Sequence, residues 1–129
     1  MARDPEAYRQ DMIRAADILR GFLRGTTRAK FDTDILMRSA IERWLGIIGE
    51  AAACFPEWAR RQYPSIPWRN IVGFRQIVLH QYWLVDPDES WSAATRDAPV
   101  LAKALRAKPP KRPSTQLEDE IEKAIRRKK

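Results

Sequence analysis

Ile41-Glu42-Arg43-Trp44-Leu45-Gly46-Ile47-Ile48-Gly49-Glu50-Ala51-Ala52-Ala53 is the stretch that decides the fold. Its apolar residues recur at three and four, the spacing that keeps side chains on a helix face. They also spread to more than one side, with Leu36 and Met37 upstream, so this is expected to be the central, most buried helix. Glu42, Gly46, Gly49 and Ala53 form a stripe of small or polar groups, along which another helix can approach closely. Each glycine costs about 1 kcal/mol in helix propensity, and close packing is the ordinary reason to carry it. Upstream, Asp32 is positioned to cap this helix and Phe31 to pack on Leu36 as a staple.

Working outward, Met12, Ala16, Leu19 and Leu23 predict a first helix over Glu6 to Leu23, ended near Gly25. Pro56, Pro64 and Pro67 punctuate an irregular connection containing a short helical turn, Glu57 to Tyr63. A third long helix is expected from Pro67 to Trp83. Asp86-Pro87-Asp88-Glu89 starts a last one, with Asp86 as cap, Pro87 at its first position and Glu89 reaching back. That helix runs to about Arg106, kinked or split by Pro99. Lys108-Pro109-Pro110-Lys111-Arg112-Pro113 reads as an extended linker. Beyond it, Thr115-x-x-Glu118 looks like a capping box before a short amphipathic stripe of Leu117, Ile121, Ala124 and Ile125.

The class that follows is all-α: an up-and-down bundle of four to five helices over residues 1–107, with 108–129 a Pro-rich basic linker and tail. At 129 residues with 44% hydrophobic content, one domain can bury a core without disulfides. The single cysteine, Cys54, excludes an internal disulfide, and a cytoplasmic setting is expected. Met1 to Asp11 lacks the apolar core of a signal peptide, and no apolar run is long enough to span a membrane. Net charge is +7. From Lys108 onward eight basic and four acidic residues leave +4, and the rest of the chain holds +3. Such an excess is compatible with nucleic acid.

Chemistry concentrates on Pro67-Trp68-Arg69-Asn70-Ile71-Val72-Gly73-Phe74-Arg75-Gln76-Ile77-Val78-Leu79-His80-Gln81-Tyr82. It holds the only histidine, the one side chain whose ordinary pKa lies near neutrality. On an ideal helix Arg69, Gly73, Gln76 and His80 share an arc of roughly 60°. Arg75 lies about 140° from His80, among apolar residues, where a guanidinium needs a partner or a cleft. An ion pair with Glu50 is its simplest structural role. One narrow face cannot present both Arg75 and His80. Either a wide cleft along the helix or two helices meeting across a two-fold axis would bring them together, and the second arrangement predicts a homodimer.

Arg75-x4-His80-x-Tyr82, after Ile66-Pro67-Trp68 and Gly73-Phe74, resembles the motif of HepT toxins in the HEPN superfamily. Ile47-Ile48-Gly49-Glu50-Ala51-Ala52 resembles the family's Ile-Gly-Glu-Ala stretch, and Asp86 to Trp91 its segment after the motif. The resemblance covers about residues 6 to 106. It implies a toxin-type, metal-independent RNA endonuclease without a cofactor, with Arg75 and His80 catalytic. It also implies a minimal nucleotidyltransferase antitoxin of the MntA type that adenylylates Tyr82. Arg69, Gln76, Glu50 and Arg43 are candidate substrate-binding or supporting residues. Gln76 departs from the family's frequent Asn at that position, which puts substrate preference or activity in question. Two other functions stay open on the sequence: a cleavage-deficient HEPN-fold dimer that binds a nucleotidyltransferase, and a nucleic-acid-binding regulator driven by the basic tail.

Overall fold

The computed structural model describes residues 3–79 and 86–127, and among them every regular element is helical. The elements are α1 (Pro5–Leu23), α2 (Arg28–Thr33), α3 (Ile35–Cys54), α4 (Glu57–Arg60), α5 (Trp68–Leu79), α6 (Pro87–Ser92), a π turn (Ala93–Asp97), α7 (Ala98–Ala107) and α8 (Gln116–Arg127). His80 and Tyr82 lie outside the described residues.

Each boundary has a local cause. The Asp4 carboxylate accepts the Glu6 N–H and Pro5 opens α1. Asp34, not Asp32, caps α3 by accepting the Met37 N–H at 3.0 Å. The difference arises because residues 28–33 first make a helix of their own, capped by Thr27, and Asp32 sits inside it, where it pairs with Arg28. The proposed staple fails for the same reason. Leu36 is 82% exposed, while Phe31 is fully buried against Trp91, ring centroids 5.2 Å apart. Asp86 caps α6 through the Asp88 N–H, with Pro87 in the first turn.

Ahead of Pro99 the last helix is divided, as expected near a proline, by a π turn between α6 and α7. Residues 87–107 are helical throughout, and the chain winds as a π turn over Ala93–Asp97, where the Ala98 N–H reaches back five residues to the Ala93 carbonyl. Proline offers no N–H and its ring crowds the carbonyl four residues back. A wider turn just ahead of it accommodates both.

The core is one cluster. Met12, Ala15, Ala16 and Leu19 of α1 meet Ile41, Leu45, Ile48 and Ala52 of α3. Ile71 and Phe74 of α5 and Leu101 and Leu105 of α7 join them. Helix α3 packs against both α1 and α5, α1 packs against α7, and the π turn touches α5, which closes the bundle. Polar contacts also cross it: buried Arg9 donates to the Leu105 carbonyl at 2.8 Å, buried Ser90 donates to the Glu42 carboxylate at 2.8 Å, and Arg38 lies 3.5 Å from the same carboxylate.

Gly49 sets how close α3 and α5 come. A Cβ built there would sit 2.6 Å from the Arg75 backbone nitrogen and 3.0 Å from the Phe74 Cβ. The aromatic trio Phe55, Tyr63 and Trp68 fixes the entry of α5, and the Trp68 indole N–H donates to the Arg60 and Tyr63 carbonyls.

Past α7 the linker is tied to the body. The Tyr63 hydroxyl donates to the Lys108 carbonyl at 2.6 Å, and Gln62 exchanges two hydrogen bonds with the Lys111 backbone. Helix α8 begins in a reciprocal box. The Thr115 hydroxyl accepts the Glu118 N–H, and the Glu118 carboxylate accepts the Thr115 N–H. No residue of α8 is buried.

Gly49→Ala is expected to lower the melting temperature. A contact of that kind with backbone costs about 1–3 kcal/mol, at least offsetting the roughly 1 kcal/mol of helix propensity that alanine adds. Gly73, with nothing within 4 Å of a built Cβ, should respond in the opposite sense, Gly73→Ala raising stability by up to about 1 kcal/mol. Urea titration of the two variants checks both signs. In the same assay Ser90→Ala, which strips a hydrogen bond from a buried carboxylate, should cost about 1–3 kcal/mol.

Candidate functional site

Helix α5 separates two grooves, and neighbouring residues of the motif face different ones. On one side Arg75 meets α3 and α1 in a groove of about 410 Å³ that also holds Arg43, Glu50, Tyr8, Arg3 and Asp11. On the other side Arg69, Gly73 and Gln76 face α6 and the π turn across a groove of about 590 Å³. The division follows from helical geometry, since residues 69, 73 and 76 are spaced by four and three and share a face, whereas 75 does not.

The Arg75 groove is cationic. Three arginines, Arg3, Arg43 and Arg75, face two carboxylates, Asp11 and Glu50. Arg75 Nε lies 3.1 Å from a Glu50 carboxylate oxygen, and the Arg75 side chain is 41% exposed. The Nε is enclosed, yet its N–H does not line up on the carboxylate as a hydrogen bond. The contact is therefore an ion pair that positions the guanidinium. In an exposed setting such a pair is worth about 0–1 kcal/mol, so a phosphate could compete for Arg75 at little cost. Asp11 is occupied by Arg3 at 2.6 Å, which also lies over the Tyr8 ring. Arg43 is exposed, and no ion pair with it occurs among the described residues.

The second groove has the opposite character. Asp88, Glu89 and Asp97 line it against one arginine, Arg69. Burial pushes the Asp97 carboxyl above its ordinary pKa, against the smaller opposing pull of Arg96. An anionic backbone gains little here, whereas the Gln76 and Asn70 amides could meet the polar edges of a neutral group.

The structure thus unites Arg75, Glu50 and Arg43 and sets Arg69 and Gln76 apart from them within one chain. His80 and Tyr82 lie outside the described residues. Arg3, Tyr8, Asp11 and Cys54 line the Arg75 groove without having been singled out from the sequence. The available signal was the spacing of Tyr8 and Asp11, which puts them together on α1 beside the apolar face. Among the described residues there is no group of His, Cys, Asp or Glu arranged to hold a metal ion. No helix among them is long and apolar enough to cross a membrane.

No solved structure matches the chain. Curated proteins do. It is 33% identical over 101 residues to a "Probable ribonuclease HepT" of Thermococcus cleftensis, an alignment covering 78% of this chain and 92% of that one. It is 31% identical over 103 residues to a "Putative RNase" of Methanocaldococcus jannaschii, covering 80% and 94%. A "Putative RNase" of Caldanaerobacter subterraneus is 27% identical over 104 residues, 81% of this chain and 93% of that one. The family model described as "Ribonuclease HepT-like" matches residues 12–107, from the middle of α1 to the last residue of α7. With α1 through α7, and with Arg75 and Glu50 in contact inside that span, the chain belongs to the ribonuclease HepT-like family of the HEPN superfamily.

Proposed function

We propose that this chain is the toxin of a type VII-like toxin–antitoxin pair: an RNA endonuclease that works without a metal and is silenced by adenylylation of Tyr82. The observation that carries the reading is Arg75, held by a weak ion pair in a groove with an excess of arginine, in a family whose curated relatives are named ribonucleases.

The reaction asks little of the protein, because RNA carries its own nucleophile. The 2′-hydroxyl loses its proton and its oxygen attacks the adjacent phosphorus. The bond to the 5′-oxygen breaks, and that oxygen takes up a proton. The products are a 2′,3′-cyclic phosphate and a 5′-hydroxyl. His80 in neutral form accepts the first proton, or in protonated form supplies the second. Arg75, permanently charged and fork-shaped, binds the non-bridging oxygens as negative charge grows on them. Glu50 positions Arg75, and Arg43 adds attraction for the backbone.

Arg75 and His80 are about 140° apart on an ideal helix, so the working site is formed by two copies of α5 facing each other across a two-fold axis. Silencing follows from Tyr82, seven residues and nearly two turns beyond Arg75. Its hydroxyl attacks the α-phosphorus of ATP on a minimal nucleotidyltransferase of the MntA type, and pyrophosphate leaves. The attached AMP brings bulk and negative charge towards the guanidinium that would otherwise hold RNA.

Arg75→Ala and His80→Ala should each lower cleavage of a fluorescent RNA by about 100-fold or more, with helical circular dichroism unchanged. His80→Ala protein that cuts RNA normally in a clean preparation overturns the mechanism, whereas wild-type protein that cuts no RNA favours the reading of a binding module that has lost catalysis. Mixing the two inactive variants tests the shared site. Activity should reappear as subunits exchange, and a mixture that stays silent argues for sites confined to single chains. Co-expression with a neighbouring nucleotidyltransferase should add one adenylyl group to the Tyr82-containing peptide by mass spectrometry, and Tyr82→Phe should remove it.

A further inference from the structure

The family match ends at Ala107, so the linker and α8 are additions that the ribonuclease body does not account for. Helix α8 exposes large apolar groups: Leu117, Ile121 and Ile125 are 65%, 52% and 54% exposed. At about 100° per residue these three and Ala124 occupy an arc of roughly 100°. Glu118 and Glu122 border that arc on one side, Glu122 paired with Arg126, and Glu120 borders it on the other with Arg127 beyond it.

A complementary surface lies elsewhere on the body. Between α1 and α7 runs a groove of about 600 Å³ whose floor is Ala16, Ala94, Ala98 and Ala102. Arg20 stands on its α1 side, and Lys103 and Arg106 stand on its α7 side. Only Asp17 opposes them, and it is already paired with Arg106. An apolar floor between basic rims thus meets an apolar stripe whose nearest flanking charges are Glu118 and Glu120. The periods match as well. Ala94, Ala98 and Ala102 are spaced by four, as are Leu117, Ile121 and Ile125, so large side chains fall opposite small ones in the manner of a helix laid in a groove.

The route of the linker decides which chain supplies the helix. Lys108 and Lys111 are hydrogen-bonded to Tyr63 and Gln62, and Pro110 and Arg112 sit in a crevice with Pro5 and Trp58. With these bonds in place no residue of α8 is buried, so in this chain α8 does not occupy its own groove.

We propose that α8 docks in the α1–α7 groove of a second copy of this chain, so that copies exchange tails. Since that groove contains neither Arg75 nor Arg43, the inference stands apart from the ribonuclease reading.

Cross-linking tests it on the full chain, with the exposed Cys54 removed as Cys54→Ser. One population carries Thr95→Cys in the groove and a second carries Ala124→Cys on α8. Mixed under mild oxidation, they should give a disulfide dimer containing one of each. Adding Ile121→Asp to the second population should reduce that product several-fold, and reversing the rim with Arg20→Glu and Lys103→Glu should do the same. A disulfide within single chains carrying both cysteines at high dilution, exceeding the mixed product, means docking in cis and overturns the proposal. So does a predominant dimer of the Ala124→Cys population with itself, which means tail-to-tail pairing. Absence of any disulfide overturns it as well.

Discussion

The closeness of α3 and α5 at Gly49 is the constraint on which the rest of the molecule depends. Two helix backbones can approach this far only where one of them has no side chain. The Arg75 nitrogen and the Phe74 Cβ occupy the space a Cβ would take. That contact draws Phe74 into the core, leaves the Arg75 side chain at the edge of the interface, and brings it against Glu50 one residue on from the glycine. Glycine within a helix weakens it by about 1 kcal/mol. Here that cost accompanies the placement of a guanidinium on a rigid element.

From this placement the two sides of α5 acquire different electrostatic tasks. The α3 side gathers arginines around a loosely held cation. The α6 side gathers carboxylates around amides. A polyanion discriminates between them before any specific contact forms, because like charges repel on one side and opposite charges attract on the other. Arg69 and Gln76, although in the motif segment, serve the second side.

Much of the architecture was legible because periodicity reports burial. Met12, Ala16 and Leu19 are buried as spaced, Ile41, Leu45 and Ile48 likewise, and Gly49 is a point of close approach. The start of α3 was not legible. Asp32 and Asp34 are equally good caps locally, and the choice between them rests on whether Thr27 nucleates a separate turn whose Phe31 finds Trp91, sixty residues away. The form of the division before Pro99 was hidden for a related reason: propensity marks where a proline disturbs a helix, and it does not say that the chain answers with a wider turn. For the site, the Arg75–Glu50 pair followed from the cost of stranding a guanidinium among apolar groups. Arg3, Tyr8 and Asp11 were missed because they come from the start of the chain, and only the packing of α1 on α3 brings them to the groove.

The π turn at Ala93–Asp97 has a consequence for how this chain can vary. A single π turn holds one more residue than an α turn, so everything after Asp97 is rotated by about 100° from where an uninterrupted α-helix would put it. Leu101 and Leu105 are both fully buried beyond that offset. Deleting one residue from this segment would let it close as an ordinary α turn with both leucines still facing inward, so the helix can shorten here without a frameshift in three dimensions.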